Sequence, residues 1–219
     1  MFRRSLYLTV FVSIILAFIA GQTLPRNNSE PNPEILYHAE RTKLFRTLGK
    51  PAKYLIAGDS ITSDVDWHEL LGVSSVANRS TRGETTDGLL ARIDTLQTVK
   101  PIVTFLLVGI NDIARGDEPA DIAKRYRQIV RALPGKVYMV SLHHCPFKWK
   151  VCDQLNPRID AFNRLIEEIP EGNVVVVNYR DGYSYDGIHL GADGTASLAA
   201  ELRKLISETD LVRAPLKMR

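Results

Sequence analysis

Cysteine is scarce in this chain, with only two residues among 219. Two cysteines are too few for the disulfide-dense scaffold of a small secreted domain, although they allow one bridge in an oxidising compartment. An excess of one charge is also missing, since the formal net charge is only +3. Nucleic acid is therefore not an expected partner, because a nucleic-acid binder needs a clustered basic face. Neither an internal repeat nor a low-complexity block is present, so one globular domain is predicted.

A long apolar run, however, lies close to the N-terminus, from Leu6 to Ala20, and follows Arg3 and Arg4. A helix of fifteen residues reaches only about 22 Å, which is short of the roughly 30 Å hydrocarbon core of a bilayer. Basic residues, a short apolar stretch and then a polar segment are typical of an export signal. Phe18 stands where cleavage after Ala20 would require a small residue, so an uncleaved anchor stays open.

This pattern predicts a signal peptide or membrane anchor over residues 1–21, a linker over 22–32 and a folded domain over 33–219. The body of the protein is then expected outside the cytoplasm, either periplasmic or secreted. Membrane contact is expected only through the N-terminal segment, and only if that segment is not cleaved.

Beyond the linker, short β-branched runs alternate with amphipathic stretches. A helix is predicted over residues 33–48, because Gly49 and Pro51 prevent its continuation. Strands are predicted at Lys53–Ala57, Val73–Ala77, Ile102–Val108, Lys136–Leu142 and Val174–Val177. Buried helix faces are predicted at Ile122, Tyr126, Ile129, Val130 and Leu133, at Ile159, Phe162, Ile166 and Ile169, and at Leu198, Leu202, Leu205 and Ile206. The alternation predicts an α/β protein, a three-layer α/β/α sandwich with about five parallel strands.

Ligand sites of such sheets lie beyond the carboxyl ends of the strands. This sequence places four short segments with polar groups there, which we call polar stations. Ser60 follows the first strand after Gly58 and Asp59, at the start of a predicted helix. The other three stations are Gly83, Asn111 and the segment from Asp186 to His189. All four are expected at one rim of the sheet.

The four stations resemble, in order, the conserved blocks of the SGNH (GDSL-type) hydrolases, which are named after Ser, Gly, Asn and His. Here these residues are Ser60, Gly83, Asn111 and His189. The resemblance covers the chain from Tyr54 to about Ile206, and it is nearest to the branch of platelet-activating-factor acetylhydrolase-like proteins and carbohydrate acetylesterases. It implies a flavodoxin-like fold, a serine esterase activity and no cofactor.

Ester hydrolysis requires a nucleophile, a base and donors that stabilise an oxyanion. Ser60 is predicted to be the nucleophile and His189 the base, with Asp186 on the second ring nitrogen of His189. The resemblance implies that the oxyanion donors are the backbone N–H groups of Ser60 and Gly83 and the side-chain amide of Asn111. Each residue also has a structural alternative: Ser60 and Asn111 as helix caps, Gly83 as a residue with positive φ, and His189 as a packing residue.

Three neighbouring side chains are interpreted as structural. Asp59 and Asp112 are expected to hold their loops through bonds to backbone N–H groups, and Trp67 is expected to pack in the core.

The loop from His143 to Cys152 follows the fourth predicted strand, and its first part, from His143 to Pro146, departs from the small or apolar residues that the family resemblance implies there. A metal site is not predicted, because the segment lacks paired Cys-x-x-Cys or helical His-x-x-x-His spacing. A disulfide between Cys145 and Cys152 is predicted instead, since export leaves this pair as the only choice. Lys148 and Trp149 would then stand beside the site and, with Arg82, form a tentative substrate-binding surface; a solvated loop is the alternative.

These observations predict an extracytoplasmic carboxylester hydrolase that removes a small acyl group, acetyl in the first place, from a carbohydrate or glycolipid. The alternatives are an O-acetyltransferase that uses the same triad, a lysophospholipase- or thioesterase-like lipolytic enzyme, and a non-catalytic glycan-binding module. The expected partner is a small acylated substrate, and the sequence leaves the oligomeric state open.

Overall fold

The computed structural model describes residues 32–169, 171, 174–177 and 184–213, with only the backbone of 174–177 and 211–213. The predicted signal or anchor over residues 1–21 lies outside the described residues, as does all of the predicted linker except Asn32. The chain divides into two compact units, Met1–Glu40 and Arg41–Arg219. The sheet and the site both lie in the second unit.

Nine helices and five strands lie within the described residues, in regular alternation after the first helix. The strands are β1 (Tyr54–Gly58), β2 (Val76–Asn78), β3 (Val103–Leu107), β4 (Lys136–Val140) and β5 (Val174–Val177). The helices are α1 (Pro33–Leu48), α2 (Ser60–Ser63), α3 (Trp67–Leu71), α4 (Thr86–Ala91), α5 (Ile93–Gln97), α6 (Ile110–Arg115), α7 (Pro119–Ala132), α8 (Lys150–Glu167) and α9 (Ala192–Arg213). None of the described helices is long and apolar enough to cross a bilayer.

All strand pairs are parallel, and the order in the sheet is β2-β1-β3-β4-β5. Helices α4 to α8 pack with one another, whereas α9 packs with α3, as expected when helices cover the two faces of a doubly wound sheet. The predicted α/β sandwich with about five parallel strands is confirmed. From β1 the sheet is extended on one side by β2 and on the other side by β3, β4 and β5. The carboxyl ends of β1 and β3 therefore flank the topological switch point, where such folds bind ligands.

Two predicted boundaries are wrong. β2 begins at Val76 and not at Val73, because Gly72 ends α3 in a left-handed conformation with φ 65° and the chain needs residues 73–75 to turn. Ser75 already contacts β1, since its carbonyl accepts a hydrogen bond from the Tyr54 N–H at 3.0 Å. Helix α8 begins at Lys150, so Cys152 lies in its first turn and not in a loop.

The predicted helix faces form the core together with the strands. Tyr126 and Ile129 of α7 are fully buried, as are Phe162 and Ile166 of α8. β1 and β3 are buried along their whole length, which is why both are predominantly apolar without alternation. The core therefore fixes the strand ends from which the polar stations project.

The predicted pair Cys145–Cys152 forms a disulfide, with Cα atoms 5.3 Å apart. The bridged segment packs on the turn that contains Gly187. A Cβ atom added at Gly187 would lie 2.7 Å from the Cys145 sulfur and 3.4 Å from the Trp149 ring, so only glycine fits under this segment. The φ of Gly187 is +94°, which also favours glycine.

The double substitution Cys145→Ser/Cys152→Ser is expected to lower the free energy of unfolding by about 2 to 3 kcal/mol, because the bridge restricts the unfolded chain. Urea unfolding of the oxidised wild type and the double variant measures the difference. A reductant should destabilise the wild type equally and leave the double variant unchanged. Equal stability of both proteins without reductant would contradict the prediction.

Candidate active site

Ser60 projects from the sharp turn between β1 and α2. Gly58 permits this turn, because a Cβ atom there would lie 2.2 Å from the backbone oxygen of Leu107 on the neighbouring strand. Asp59 caps the short helix, with its Oδ1 accepting a hydrogen bond from the Ile61 N–H at 2.9 Å. Asn78 supports the other end of α2 by donating a hydrogen bond to the Thr62 carbonyl at 2.9 Å. Ser60 is therefore held on a rigid support.

Asp186 and His189 lie in a turn that is closed by a bridge between Ser184 and Leu190. Within this turn, Asp186 Oδ1 accepts hydrogen bonds from the N–H groups of Ile188 and His189, at 2.9 and 2.7 Å. The spacing of three residues thus brings the carboxylate under the histidine ring, as the sequence predicts. The hydrogen bonds that stabilise this turn therefore also hold the Asp186 carboxylate in place.

The structure brings the three predicted triad side chains together. His189 Nδ1 lies 2.6 Å from Asp186 Oδ2, and His189 Nε2 lies 2.8 Å from Ser60 Oγ. Both distances are within hydrogen-bond range, and they place the imidazole between a carboxylate and a hydroxyl. Such an arrangement can transfer the hydroxyl proton to the ring while the carboxylate stabilises the cation that forms.

The electrostatics of the pair favour a charged carboxylate and a basic imidazole. Burial disfavours ionisation of Asp186, but the hydrogen bonds from the His189 ring and from two backbone N–H groups outweigh it and lower the pKa of Asp186 to about 2. The hydrogen bond to Asp186 raises the pKa of His189 above 6.5, against the opposing effect of burial. His189 is therefore a stronger base than an isolated histidine.

The raised pKa of His189 sets an expected pH profile. A general base must be neutral, so kcat/KM falls as the pH drops through the pKa of His189, and the midpoint of this acid limb is expected above 6.5. Hydrolysis of p-nitrophenyl acetate, corrected for the rate with the Ser60→Ala variant, measures the profile. A midpoint at or below pH 6.5 would contradict it.

Gly83 and Asn111 are connected through Glu84, the residue that follows Gly83 in the chain. Asn111 Nδ2 donates a hydrogen bond to the backbone carbonyl of Glu84 at 2.9 Å, which uses one of its two N–H groups. Gly83 has a φ of +68°, a backbone conformation that favours glycine, so the structural role considered for this residue is also present. The arrangement links the side chain after β3 to the segment after β2, as an oxyanion site at this rim requires.

The side chains interpreted as structural are placed accordingly. Asp112 is fully buried and accepts hydrogen bonds from the N–H and hydroxyl groups of Thr86, with Arg125 as its ionic partner at 3.1 Å. Trp67 is buried and donates a hydrogen bond to the Thr62 carbonyl at 2.9 Å. Asp59 is buried beside Ser60, and this burial raises its pKa to about 7.

The tentative substrate-binding residues divide into two groups. Trp149 is 48% exposed and stacks on Phe147, while Lys148 is exposed on the same bridged segment. Arg82 is also exposed, but its guanidinium donates a hydrogen bond to the Asp64 carboxylate at 2.8 Å. Arg79, on the segment after β2, is only 5% exposed because its side chain turns inward toward Phe45.

Tyr185 lies at the rim, as its place in the loop before Asp186 predicts. It is 69% exposed, and its ring lies parallel to the His189 ring with centroids 6.0 Å apart. Two other features near the site escape the sequence-based prediction. His143 is buried, and burial lowers the pKa of its ring. Glu84 and Arg92 form a buried ion pair behind Gly83, although charged residues are ordinarily expected on the surface.

A metal site is not evident in the part of the chain that the structure describes, where no three His, Cys, Asp or Glu side chains converge. His144 instead contacts the Asp160 carboxylate through Nε2, at 2.7 Å.

The fold and the convergence of serine, histidine and aspartate at the switch point are those of a serine hydrolase of the doubly wound α/β class. The model of the GDSL-like lipase/acylhydrolase family matches residues 56–196. The chain therefore belongs to this family, and it is an ester hydrolase. No curated protein matches the chain in sequence.

Solved structures with the same fold are distant in sequence. A Streptococcus pneumonia protein provisionally described as a platelet activating factor has a TM-score of 0.69 and 22% identity, over 78% of this chain and 94% of its own. A GDSL-like lipase from Bacteroides thetaiotaomicron has a TM-score of 0.61 and 17% identity, over 81% and 98%. A carbohydrate acetylesterase from Sinorhizobium meliloti has a TM-score of 0.59 and 14% identity, over 72% and 99%. At these identities the likeness shows the common fold.

Proposed function

We propose that the protein is an extracytoplasmic serine esterase that removes a small acyl group, acetyl in the first place, from a carbohydrate or glycolipid. The observation that carries the proposal is the continuous hydrogen-bond chain from Ser60 through His189 to Asp186. Ser60 is the nucleophile, His189 the general base and then acid, and Asp186 the residue that orients and stabilises the imidazolium.

The reaction proceeds in two steps. Ser60 Oγ attacks the ester carbonyl carbon while its proton moves to His189 Nε2, and the oxyanion accepts hydrogen bonds from the Ser60 and Gly83 N–H groups and the Asn111 amide. The C–O bond then breaks, and His189 returns the proton to the leaving alcohol. Water, activated by the same imidazole, releases the acid from Ser60.

A small acyl group is supported by the limited space beside Ser60. Among the described residues, the apolar space lined by Ile61, Ile110 and Ile188, each adjacent in sequence to a proposed catalytic residue, is too tight to admit a water molecule and so provides no channel for a long acyl chain. Pockets for larger organic ligands hold roughly 300 to 1,000 Å³. A fatty acyl chain needs apolar wall along its length, because each methylene left in water forgoes about 0.8 kcal/mol.

Among p-nitrophenyl esters, kcat/KM is therefore expected to be highest for acetate or propionate and to decline by octanoate. A series from acetate to decanoate at one pH measures the trend, with the Ser60→Ala variant as the control for uncatalysed hydrolysis. A tenfold preference for octanoate would overturn the small-acyl proposal and favour a lysophospholipase- or thioesterase-like activity.

A carbohydrate leaving group is supported by the aromatic rings around His189. The leaving oxygen must lie next to His189 Nε2, which protonates it, so the alcohol part of the substrate extends along the His189 side of the site. Tyr185 and Trp149 are both exposed on the segments that flank this histidine. Exposed rings of this kind stack on the apolar faces of sugars. The paired Arg82 and Asp64 offer nearby donors and acceptors for hydroxyl groups.

Export is supported by two observations. The apolar run behind Arg3 and Arg4 has the composition of an export signal. The Cys145–Cys152 disulfide is of a kind that persists in oxidising compartments and is rare in the cytosol. Detection of the full-length or processed chain in the periplasmic or secreted fraction, and not in the cytosol, tests this part of the proposal.

The substrate proposal is tested with two acetate esters that differ only in the alcohol, an acetylated monosaccharide and ethyl acetate. The wild type should prefer the sugar ester, and Trp149→Ala and Tyr185→Ala should reduce that preference about tenfold while leaving ethyl acetate hydrolysis nearly unchanged, as expected for lost ring stacking. Equal activity of the wild type on both esters would contradict a carbohydrate substrate. A free sugar included as acceptor separates hydrolysis, which releases acetate, from acetyl transfer.

A further inference from the structure

A buried ion pair lies behind the segment that carries Gly83. Glu84 and Arg92 are 1% and 4% exposed, and Arg92 Nε donates a hydrogen bond to Glu84 Oε2 at 2.6 Å. Removing two charges from water is costly, so a buried pair of this kind is weak evidence for added stability. Its presence beside the proposed oxyanion hole needs another explanation.

Arg92 joins the two ends of the segment from residue 79 to residue 84. Besides the Glu84 carboxylate, its guanidinium binds the backbone carbonyl of Arg79, with Nη2 donating at 2.8 Å. Inside the segment, the Glu84 N–H bonds to the Thr81 carbonyl at 3.2 Å. Gly83 therefore lies in a short stretch of backbone whose ends are both attached to one rigid guanidinium.

Glu84 also controls the direction of Asn111. Its backbone carbonyl accepts the hydrogen bond from Asn111 Nδ2 at 2.9 Å, while its carboxylate is held by Arg92. A displacement of Glu84 would thus move the carbonyl that aligns the Asn111 amide and, through the adjoining peptide, the N–H of Gly83. Two of the three proposed oxyanion donors depend on the placement of this residue.

Helix α4 leaves room for the carboxylate. A Cβ atom at Gly88 would lie 2.2 Å from Glu84 Oε1, so any larger residue would push the carboxylate away. Gly88 lies in the first turn of α4 and its φ is not in the left-handed region, so the backbone conformation does not require glycine there. The space it leaves is used by Glu84.

We propose that Glu84 and Arg92 are positioning residues of the oxyanion hole, which hold the Gly83 N–H and the Asn111 amide in the orientation that receives the developing negative charge. The proposal rests on the proposed function, since it assumes that these donors face the reacting carbonyl. Neither residue contacts the substrate, and both act through backbone and side-chain groups that do.

The test compares Glu84→Gln, Arg92→Met and Arg92→Lys with wild type on p-nitrophenyl acetate. Glu84→Gln and Arg92→Met should lower kcat about tenfold or more, with KM within about twofold, because a small misplacement of donors weakens only transition-state binding. Arg92→Lys keeps the charge but not the fork that reaches both partners, so it should restore part of the loss. Gly88→Ala, which favours helix formation, should nevertheless lower kcat by displacing the carboxylate.

A short alkylboronic acid, methylboronic acid, provides the second readout. It forms a tetrahedral adduct with a serine hydroxyl, so its inhibition constant should rise in parallel with the fall in kcat. The control is Ile166→Ala, which leaves a buried cavity in the last turn of α8. This variant should lower the unfolding temperature and leave both kcat and the inhibition constant unchanged.

Asn111→Ala distinguishes failure of the positioning role of Glu84 and Arg92 from failure of the proposed oxyanion hole itself. If Asn111→Ala lowers kcat but Glu84→Gln, Arg92→Met and Gly88→Ala leave kcat and the inhibition constant within twofold, the positioning role is refuted and the oxyanion hole stands. If Asn111→Ala has no effect either, the proposed oxyanion hole itself is refuted. The double variant Glu84→Gln/Asn111→Ala should cost less than the product of the single effects, because Glu84 acts partly through Asn111. A fully multiplicative loss would contradict that route.

Discussion

Ser60→Ala and His189→Ala are each expected to lower kcat by roughly 10⁴-fold or more, without loss of the fold. The serine hydroxyl and the imidazole are 2.8 Å apart and act as one unit, so the removal of either abolishes nucleophilic attack. Initial rates with p-nitrophenyl acetate, together with the unfolding temperature of each variant, measure both parts of the prediction.

Two matched controls are available in the same chain. Ser63 lies on the same short helix as Ser60, but its hydroxyl donates a hydrogen bond to the exposed Asp64 carboxylate, so Ser63→Ala should keep nearly full activity. His144→Ala removes an exposed histidine that contacts Asp160, and it should do the same. Retention of more than a tenth of the activity in Ser60→Ala would sink the proposed mechanism.

Asn111→Ala is expected to lower kcat on the order of 10²-fold, with a small change in KM. The loss is smaller than for Ser60 because the two backbone N–H donors of the proposed hole remain. Asn111→Asp should cost at least as much, since a carboxylate has nearly the same shape but repels the developing oxyanion. Steady-state kinetics of both variants with p-nitrophenyl acetate give the separate effects on kcat and KM.

The alternative role of Asn111 is that of a loop or helix residue that only stabilises the fold through Glu84. In that case Asn111→Ala would lower the unfolding temperature and leave kcat within about threefold of wild type. This result would remove Asn111 from the oxyanion hole.

Most of the fold could be predicted because its inner strands β1 and β3 are fully buried. Both are predominantly apolar runs between turn signals, and helix α1 ends where Gly49 and Pro51 require. The start of β2 could not be located, because this strand has only three residues and its burial is partial. A strand at the edge of a sheet, with one neighbour, carries a weaker hydrophobic pattern than the strands inside it.

The placement of Ser60 and Asn111 could be predicted because each lies just past the end of a buried strand. Ser60 and Asn111 are fixed by the ends of β1 and β3, and Asp186 reaches His189 within one turn. The surroundings could not be predicted in the same way. Arg79 and Glu84 carry charges that favour the surface, and only the three-dimensional arrangement shows that Arg92 and Phe45 enclose them.

The most direct test of the central claim is the identification of the residue that a phosphonate ester modifies. The intact protein is treated with a short p-nitrophenyl alkylphosphonate, and residual activity and adduct mass are followed together, with Ser60→Ala as the control. If Ser60 is the nucleophile, we expect one adduct per chain, located on the peptide that contains Ser60. Activity should fall in proportion to the modified fraction, and the variant should carry no adduct. Stoichiometric inactivation with the adduct on another residue, or an active enzyme with Ser60 fully modified, would contradict it.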